Sequence, residues 1–458
     1  MLWLTFLIIV AAAALAYVLN LRAARRLWAE GARLHSITTF HALYALFLAA
    51  LPAFVFVVLW LALSGPVIGA LVLSGLPDEV RAGATAAQEN LLLSEIRSLA
   101  RGQAFGEPEP WKAAAAARLT ALEATEGWAR LALVSLIAAA GLIYARTRVS
   151  ASFRARQRVE RIINGLMVFC SLVAIFTTIG IVASLFVESM RFFARVPFFE
   201  FLFGTNWEPQ IPIREDQVAG AGAFGWLPVL LGTMVITVVA LVVALPIGLF
   251  SAIYLNEFAS PRLRAVAKPV LEILAGVPTV VYGFFAVLVV APALRQAGQA
   301  LGVDVSPNTA LAAGGTMGIM LIPFISSFTD DALSAVPRSL RDGSLALGAT
   351  RGETVAKVLF PAAIPGIVGG VLLAVSRAIG ETMIVVMAAG LIARMTINPL
   401  DSVTTVTVQI VTLLIGDTAF DNPKTLAAFA LGMMLFLVTL GVNIVALRVV
   451  RKYRELYD

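Results

Sequence analysis

The sequence predicts an all-α polytopic membrane protein with about nine transmembrane helices. Hydrophobic residues make up 60% of the chain and charged residues only 14%, and the mean hydropathy is +0.90. A soluble domain of 458 residues needs more polar surface than this. A helix that crosses the hydrocarbon needs about 20 mostly apolar residues. The stretches that qualify are approximately 2–19, 40–62, 129–145, 162–186, 228–255, 265–293, 311–328, 366–393 and 426–448.

The first apolar stretch is predicted to be a retained membrane anchor. It has no basic segment in front of it, and four arginines between Arg22 and Arg33 follow it. This order of charges is typical of a helix whose N-terminus lies outside the cytoplasm. Residues 66–76 are also apolar, and they either extend the second span or form a re-entrant piece.

The distribution of Lys and Arg predicts the orientation of the remaining spans. Alternate loops are richer in these residues than the loops between them; the basic set is 20–39, 146–161, 256–268, 329–365 and 448–458. Basic loops stay in the cytoplasm. We therefore expect a multi-pass protein of the cell (inner) membrane with its N-terminus outside and its C-terminus in the cytoplasm.

A basic linker near residue 150 predicts the domain boundary. Residues 1–150 would form an accessory membrane region of three spans, and residues 151–458 a core of six spans with a cytoplasmic loop at 329–365. Within the first region, segment 77–128 has leucines and isoleucines at helical spacing, which predicts an external amphipathic helix or hairpin. We interpret this segment as a solvated spacer and not as a substrate site.

The composition argues against a metal or nucleotide site. The chain has one cysteine, Cys170, and two histidines, His35 and His41, which excludes an intrachain disulfide and a cluster of Cys or His ligands. The glycine-containing segment 348–354 lacks the Gly-Lys-Ser/Thr ending of a phosphate-binding P-loop. We expect no metal and no cofactor bound by this chain, and no catalytic residues.

A polar segment, 341–365, lies between two long apolar stretches. Its bulky apolar residues predict two short helices along the membrane interface, separated at Gly348 because glycine permits a turn that a side chain obstructs. Pro361 and Pro365 are predicted to stop the second helix before the next span. Such a helix pair is suited to dock into a groove on a cytoplasmic partner.

The spacing within this segment resembles the coupling loop of ABC importer permeases. That pattern is Glu-Ala-Ala, three residues, Gly, nine residues and Ile-x-Leu-Pro; this chain has Asp342-Gly343-Ser344, then Gly348, then Val358-Leu359-Phe360-Pro361. The acidic residue is conserved in type, whereas both alanines and the Ile/Leu pair are replaced. The resemblance implies contact with an ATPase through Asp342, Gly348, Ala349, Thr350 and Glu353.

Further segments narrow the resemblance. They are Phe201 to Pro209, Phe224-Gly225-Trp226-Leu227-Pro228, Leu274 to Phe284 and Ser376 to Thr382. Together they resemble the C-type permease of the phosphate-specific (Pst) ABC importers over about residues 162–450, which leaves the three N-terminal spans outside. The resemblance implies a type I permease core in a non-enzymatic transport subunit. Its implied partners are a second, A-type permease, a cytoplasmic ATPase dimer that holds ATP and Mg, and an extracytoplasmic phosphate-binding protein.

Arg377 and Glu381 are charged residues inside the predicted eighth span. In a continuous helix they share a face, with Arg377 about 15 Å into a span that starts near 366. A charge there costs several kcal/mol unless it is paired or faces a wet cavity. We interpret Arg377 as a planar donor to phosphate in the translocation path, oriented by Glu381, with hydroxyls from Ser376 and Thr382 nearby. The alternative is that the two charges only neutralise each other or pin neighbouring helices.

Pro278 and Tyr282 form a second candidate position in the path. A proline inside a span bends the helix and frees backbone carbonyls, which suits a gate or only a packed kink. Tyr282 could donate to an anion or to a backbone carbonyl. The sequence leaves both pairs of alternatives open.

The most consistent function is therefore a permease subunit of an ATP-driven importer of inorganic phosphate. One alternative is a permease for another oxyanion, such as sulfate or molybdate. A less favoured alternative is an autonomous ion-coupled transporter or channel, which the coupling-loop spacing and the short interfacial helices argue against.

Overall fold

The computed structural model describes residues 1–77, 80, 86–103, 109–210, 222–415 and 422–454. Over these residues the chain is mainly helical, and nine helical segments are long and apolar enough to cross a membrane. The predicted all-α membrane fold is confirmed. The chain divides into two units within one long helix, between Phe176 and Thr177; the predicted boundary at residue 150 precedes that helix.

In its described residues, the first unit, Met1–Phe176, contains four complete helices and part of a fifth. They are α1 (Leu2–Ala29), α2 (Thr38–Leu73), α3 (Ala86–Ala100), α4 (Pro110–Thr147) and the start of α5 (Ala155–Phe193). α2 runs without a break to Leu73, so the apolar residues from 66 onwards extend the second span. Within the described part of segment 77–128, α3 and the start of α4 pack on the end of α2 through Val72, Ile96 and Leu119.

Small residues allow the first three spans to approach closely. Ala53, Val57, Val134 and Ala138 lie in one buried cluster formed by α1, α2 and α4. A Cβ on Gly141 would lie 2.2 Å from the carbonyl oxygen of Leu48, so only glycine fits there. Close backbone contact through small residues is the usual way in which membrane helices associate.

The second unit, Thr177–Asp458, begins with the rest of α5 and a short hairpin region. α6 (Phe198–Phe203) precedes two short antiparallel strands, β1 (Trp207–Glu208) and β2 (Ala223–Phe224), in which Trp207 pairs with Phe224. The helices that follow are α7 (Leu227–Ile253), α8 (Pro261–Ala275), α9 (Thr279–Phe285), α10 (Ala291–Ala300), α11 (Ala310–Ser334), α12 (Arg338–Ala346), α13 (Arg351–Thr354), α14 (Phe360–Ile379), α15 (Met383–Ala388), α16 (Val406–Leu414) and α17 (Pro423–Arg454).

Three π-helical turns lie between helices in the described part of this unit. Tyr254–Phe258 follows α7, Ala286–Val290 joins α9 to α10, and Val355–Leu359 joins α13 to α14. With these turns included, the described spans that lie wholly in this unit are Leu227–Phe258, Thr279–Ala300, Ala310–Ser334, Arg351–Ile379 and Pro423–Lys452.

α11 is the central helix of the second unit. Its buried residues, among them Met317 and Leu321, share one cluster with residues of α7, α9, α14 and α15. Gly314 and Gly318 face α7, and a Cβ on Gly318 would lie 2.8 Å from the carbonyl oxygen of Ala240. The two helices therefore pack with their backbones close together.

The predicted sixth span, 265–293, is wrong in its boundaries. Ser260 caps α8 by accepting from the backbone N–H of Leu263, and Pro261 is suited to the first helical position. α8 then ends at Gly276, and Pro278 precedes a new helix, α9. The spanning segment is Thr279–Ala300, and α8 is a separate amphipathic helix before it.

The predicted eighth span, 366–393, is also wrong in its boundaries. The helical segment runs from Arg351 to Ile379, and the chain then leaves the helix at residues 380–382. Pro361 and Pro365 do not stop the helix as predicted, because Pro361 lies in the first turn of α14, directly after the π-helical turn Val355–Leu359. Consequently the polar loop is shorter than 329–365: α11 extends to Ser334 and the next spanning segment begins at Arg351, with the short helix α12 between them.

Candidate functional site

The break between α14 and α15 contains the predicted charge pair. Arg377 lies in the last turn of α14, Gly380 caps that helix, and Glu381 lies in the break. The two residues are therefore not on one face of a continuous helix. No ion pair joins them among the described residues, and the predicted depth of Arg377, counted from residue 366, no longer follows because the span begins at Arg351.

Arg377 packs against an aromatic ring. Its guanidinium carbon lies 5.5 Å from the centre of the Phe324 ring on α11, a geometry in which the cation is attracted to the ring face. Phe324 is itself held edge-on by Phe328, with ring centres 4.7 Å apart. The side chain of Arg377 is exposed in this chain. The Phe324 ring thus orients the guanidinium of Arg377 but accepts no conventional hydrogen bond from its N–H groups.

Glu381 forms one hydrogen bond through its side chain and one through its backbone carbonyl. Its Oε1 accepts a hydrogen bond from the backbone N–H of Met383 at 3.2 Å. Its carbonyl oxygen accepts from Oγ1 of Thr407 at 2.8 Å. The break is therefore tied to α16, which is distant from it in sequence.

The two predicted hydroxyl residues have local partners. Ser376 Oγ donates to Oδ1 of Asn443 on α17 at 2.9 Å, which fixes α14 to α17. Thr382 Oγ1 donates to the carbonyl oxygen of Gly380 at 3.3 Å and closes the turn at the break. The structure thus places Arg377, Glu381 and Thr382 around the break, and it engages Ser376 with a neighbouring helix.

A buried polar cluster lies beside the break and was not predicted from the sequence. Thr404, Thr405, Thr407 and Gln409 are all buried at the start of α16. Thr405 and Thr407 share a hydrogen bond of 3.0 Å between their Oγ1 atoms. The available signal was the run Thr-Thr-Val-Thr-Val-Gln at 404–409, which has unusually many hydroxyls for an apolar surrounding.

Tyr282 donates to the protein backbone. Its hydroxyl donates to the carbonyl oxygen of Leu274 in α8 at 2.7 Å. This contact joins α8 and α9 across the bend at Pro278, which stands immediately before α9. Of the alternatives left open by the sequence, the structure shows a backbone partner for Tyr282 and a helix break at Pro278.

The polar segment 341–365 forms only one of the two predicted short helices as a separate helix, α12. α13 continues through the π-helical turn Val355–Leu359 into α14, so the second predicted helix is the start of the eighth span. α12 ends before Gly348, which has φ of +90°, a conformation that favours glycine. Thr350 then starts α13 with a capping box, in which its side chain accepts from the backbone N–H of Glu353 and the Glu353 side chain accepts from that of Thr350. The helix pair is tied by a 3.0 Å hydrogen bond between the Ser344 and Thr354 hydroxyls.

An open groove of about 600 Å³ lies on this helix pair. Gly348, Ala349 and Glu353 line it together with Leu347, which is 91% exposed. Asp342 is exposed on α12 but does not line the groove. Leu340, which also lines the groove, is exposed as well. Exposed apolar residues grouped at a groove are typical of a surface that a partner covers.

A second polar cluster, the Asp330 cluster, lies near the ends of α7, α8 and α11. It consists of Asn256, Arg264, Lys268 and Asp330, and the Asp330 side chain accepts hydrogen bonds from the other three. The hydrogen bond to Asp330 raises the pKa of Lys268. This cluster was not predicted from the sequence, because its members come from three separate helical segments.

Two protein families match the chain. The family described as "Phosphate ATP-binding cassette transporter" matches residues 6–177, and the family described as "Binding-protein-dependent transport system inner membrane component" matches residues 244–455. The probable ABC transporter permease protein YqgH of Bacillus subtilis is 33% identical over 296 residues, which are 64% of this chain and 91% of the relative. The phosphate transport system permease protein PstC of Mesorhizobium japonicum is 32% identical over 278 residues, 57% of this chain and 80% of that protein.

The chain belongs to the PstC-like family of ABC transporter permeases. It is accordingly a multi-pass inner-membrane transport subunit. The N-terminal match, residues 6–177, covers nearly all of the first structural unit, Met1–Phe176. Among solved structures, a bacterial alginate ABC transporter in complex with an alginate pentasaccharide-bound periplasmic protein is 15% identical and covers 63% of this chain and 94% of its own, with a TM-score of 0.44.

Proposed function

We propose that this permease imports inorganic phosphate as the C-type subunit of an ATP-driven importer. Relatives that are about 30% identical carry the name phosphate transport system permease. The observation that carries the proposal is the position of Arg377, whose guanidinium lies beside a helix break and forms no ion pair among the described residues.

The break is suited to an anion. The break follows the end of α14 at Ile379, and irregular backbone in membrane proteins is tolerated where it is buried in protein or lines a wet cavity. Discontinuous helices in transporters commonly form the substrate site for the same reason. Arg377 would offer its planar donors to phosphate oxygens, and Phe324 would hold the guanidinium without neutralising it. Glu381 would accept a proton-bearing oxygen of phosphate, and Thr382 would add a hydroxyl.

The remaining partners of the proposal follow from the family. A cytoplasmic ATPase dimer that holds ATP and Mg would cover the groove formed by α12 and α13, where Leu347 is exposed. A second, A-type permease would complete the path, and an extracytoplasmic binding protein would deliver phosphate. Transport would proceed by alternating access, with the N-terminus of this chain outside and its C-terminus in the cytoplasm. Pro278 and Tyr282 would contribute to a gate by fixing the bend between α8 and α9.

Reconstitution of the whole importer tests this function. The permease is co-purified with the second permease and the ATPase, inserted into proteoliposomes, and supplied with binding protein, ATP and radiolabelled phosphate. We expect ATP-dependent phosphate uptake that excess sulfate or molybdate does not suppress. Suppression by either anion would support the other-oxyanion alternative. Uptake by the permease alone, without ATP, would support an autonomous transporter and contradict the proposal.

A further inference from the structure

Asp330 is a buried carboxylate that joins α11 to α8. The residue is only 6% exposed. Its two oxygens accept from Nη2 of Arg264 at 2.9 and 3.2 Å, and Oδ2 also accepts from Nζ of Lys268 at 2.7 Å. A carboxylate this buried is stable only with such partners, and loss of the carboxylate leaves two cations unpaired.

The same carboxylate is linked to the cytoplasmic helix pair through the end of α7. Asn256 Nδ2 donates to Oδ1 of Asp330 at 2.6 Å and to Oγ of Ser334 at 2.9 Å. The next residue, Glu257, forms an ion pair with Arg341 of α12. Asn256 and Glu257 are adjacent residues of one π-helical turn. Asn256 therefore contacts α11, and Glu257 contacts α12.

α8 is held to this unit by its polar face. Arg264 and Lys268 point to α11, whereas Val266, Val270 and Ile273 on the opposite face are exposed in this chain. This arrangement is the reverse of a soluble amphipathic helix, whose apolar face packs inward. The position of α8 on α11 thus depends on the Asp330 cluster more than on apolar packing.

The far end of α8 is connected to the candidate substrate site. Tyr282 of α9 donates to Leu274 of α8 across the bend. On the next residue, Gly283, a Cβ would lie 3.3 Å from the carbonyl oxygen of Met383, so α9 is in close contact with α15. Met383 is also the residue whose N–H binds Glu381. Contacts therefore run without a gap from α12 to the break that contains Glu381.

We infer that Asp330 is a positioning residue that couples ATP hydrolysis to phosphate transport. Movement of α12 on the ATPase would displace the end of α7 through the Glu257–Arg341 ion pair. Asp330 would transmit this displacement to α8, and the contacts of α8 with α9 and of α9 with α15 would carry it further. Asp330 contacts neither phosphate nor the ATPase in this scheme. The inference rests on the proposed function, since it requires a transport cycle driven by an ATPase at the groove on α12 and α13.

Replacement of Asp330 by asparagine tests the inference, with Asp331→Asn as the matched control. Asp331 is the neighbouring carboxylate on α11; it is exposed and makes no ion pair within the described part of the chain. Each variant is reconstituted in the complete importer, and three quantities are measured: the amount of assembled complex, ATP hydrolysis and phosphate taken up per ATP hydrolysed. For Asp330→Asn we expect assembly and ATP hydrolysis to persist, with phosphate per ATP reduced at least tenfold. Asp331→Asn should match the wild type.

Either of two results with Asp330→Asn would overturn the inference: phosphate per ATP equal to that of Asp331→Asn, or uptake and hydrolysis that fall in parallel.

If Asp330→Asn does not assemble, Lys268→Gln decides, because it removes one cation and leaves the bonds of Asp330 to Arg264 and Asn256. We expect phosphate per ATP to fall about threefold or more in this variant, and a ratio equal to the wild type would contradict the inference. A wild-type importer that hydrolyses ATP but takes up no phosphate would instead overturn the proposed function.

Discussion

Thr407 donates a hydrogen bond from its Oγ1 to the carbonyl oxygen of Glu381, at a distance of 2.8 Å. This contact fixes the non-helical segment between α14 and α15 against the start of α16. A carbonyl released by a helix break needs a donor when water is excluded. Thr407 therefore determines where the backbone of Glu381 lies relative to Arg377.

Replacement of Thr407 by valine should weaken phosphate transport without preventing assembly. The change removes the hydrogen bonds of Thr407 to Glu381 and to Thr405 at nearly constant volume. Each bond is worth about 0.5–1.5 kcal/mol, or roughly a two- to tenfold change in apparent affinity where it supports the site. We expect a raised KM for phosphate uptake by the reconstituted importer, and recovery with Thr407→Ser. Thr412→Val is the control, because among the described residues Thr412 Oγ1 donates only within its own helix, to Gln409. Equal KM values for the two valine variants would refute this role of Thr407.

Replacement of Gly348 by alanine should weaken association with the ATPase. The residue has φ of +90°, and a side chain in such a left-handed conformation costs about 1–2 kcal/mol. The turn between α12 and α13 would change, and the groove that Leu347 and Gly348 line would change with it. Gly352→Ala is the control, since Gly352 lies in α13 with open space at its Cβ position. Co-purification with the ATPase should fall for Gly348→Ala alone; retention by both variants would show that the turn does not shape the docking surface.

Replacement of Gly318 by alanine should lower the stability of the second unit. The new Cβ would lie 2.8 Å from both the Ala240 carbonyl oxygen and Cβ of Val243, and overpacking of this kind costs about 1–3 kcal/mol. Gly315→Ala, in the same helix, has no atom within 4 Å of its Cβ position and should leave stability unchanged. Thermal unfolding of the detergent-purified protein measures the difference. A midpoint shared by both variants would contradict the close packing of α7 on α11.

Replacement of Glu126 by leucine should destabilise the first unit. Its carboxylate accepts from Arg130 and from the indole of Trp60, both at 2.6 Å. Arg130 is 5% exposed, and loss of its partner leaves a buried charge at a cost of about 3 kcal/mol or more. Glu123→Leu, at an exposed position on the same helix, should change stability by less than about 0.5 kcal/mol. Protease sensitivity of α1, α2 and α4 distinguishes the variants, and equal sensitivity would argue against a structural pair.

Much of the fold follows from hydropathy, whereas the helix breaks do not. Apolar composition predicts nine spans because each span needs a long apolar run. It does not predict the helix breaks at Gly276 and Gly380, because apolar residues continue on both sides of each break. Glycine and its spacing predicted the turn at Gly348, because that turn depends on local backbone geometry.

The polar partners of the site could not be predicted from the sequence. Arg377 and Glu381 were found because charges are rare in apolar stretches, but their separation depends on the break between them. Thr407 reaches Glu381, and Asp330 reaches Lys268, only through tertiary packing of different helices. Local pattern carries no information on such contacts.

Phosphate uptake by the Arg377→Gln importer tests the central claim most directly. Arg191→Gln is the matched control, since Arg191 is an exposed arginine on α5 that pairs only with Glu188 among the described residues. At equal amounts of assembled complex, we predict that Arg377→Gln abolishes ATP-dependent phosphate uptake and that Arg191→Gln retains it. Phosphate uptake by Arg377→Gln at the wild-type rate would contradict the assignment of Arg377 to the phosphate path.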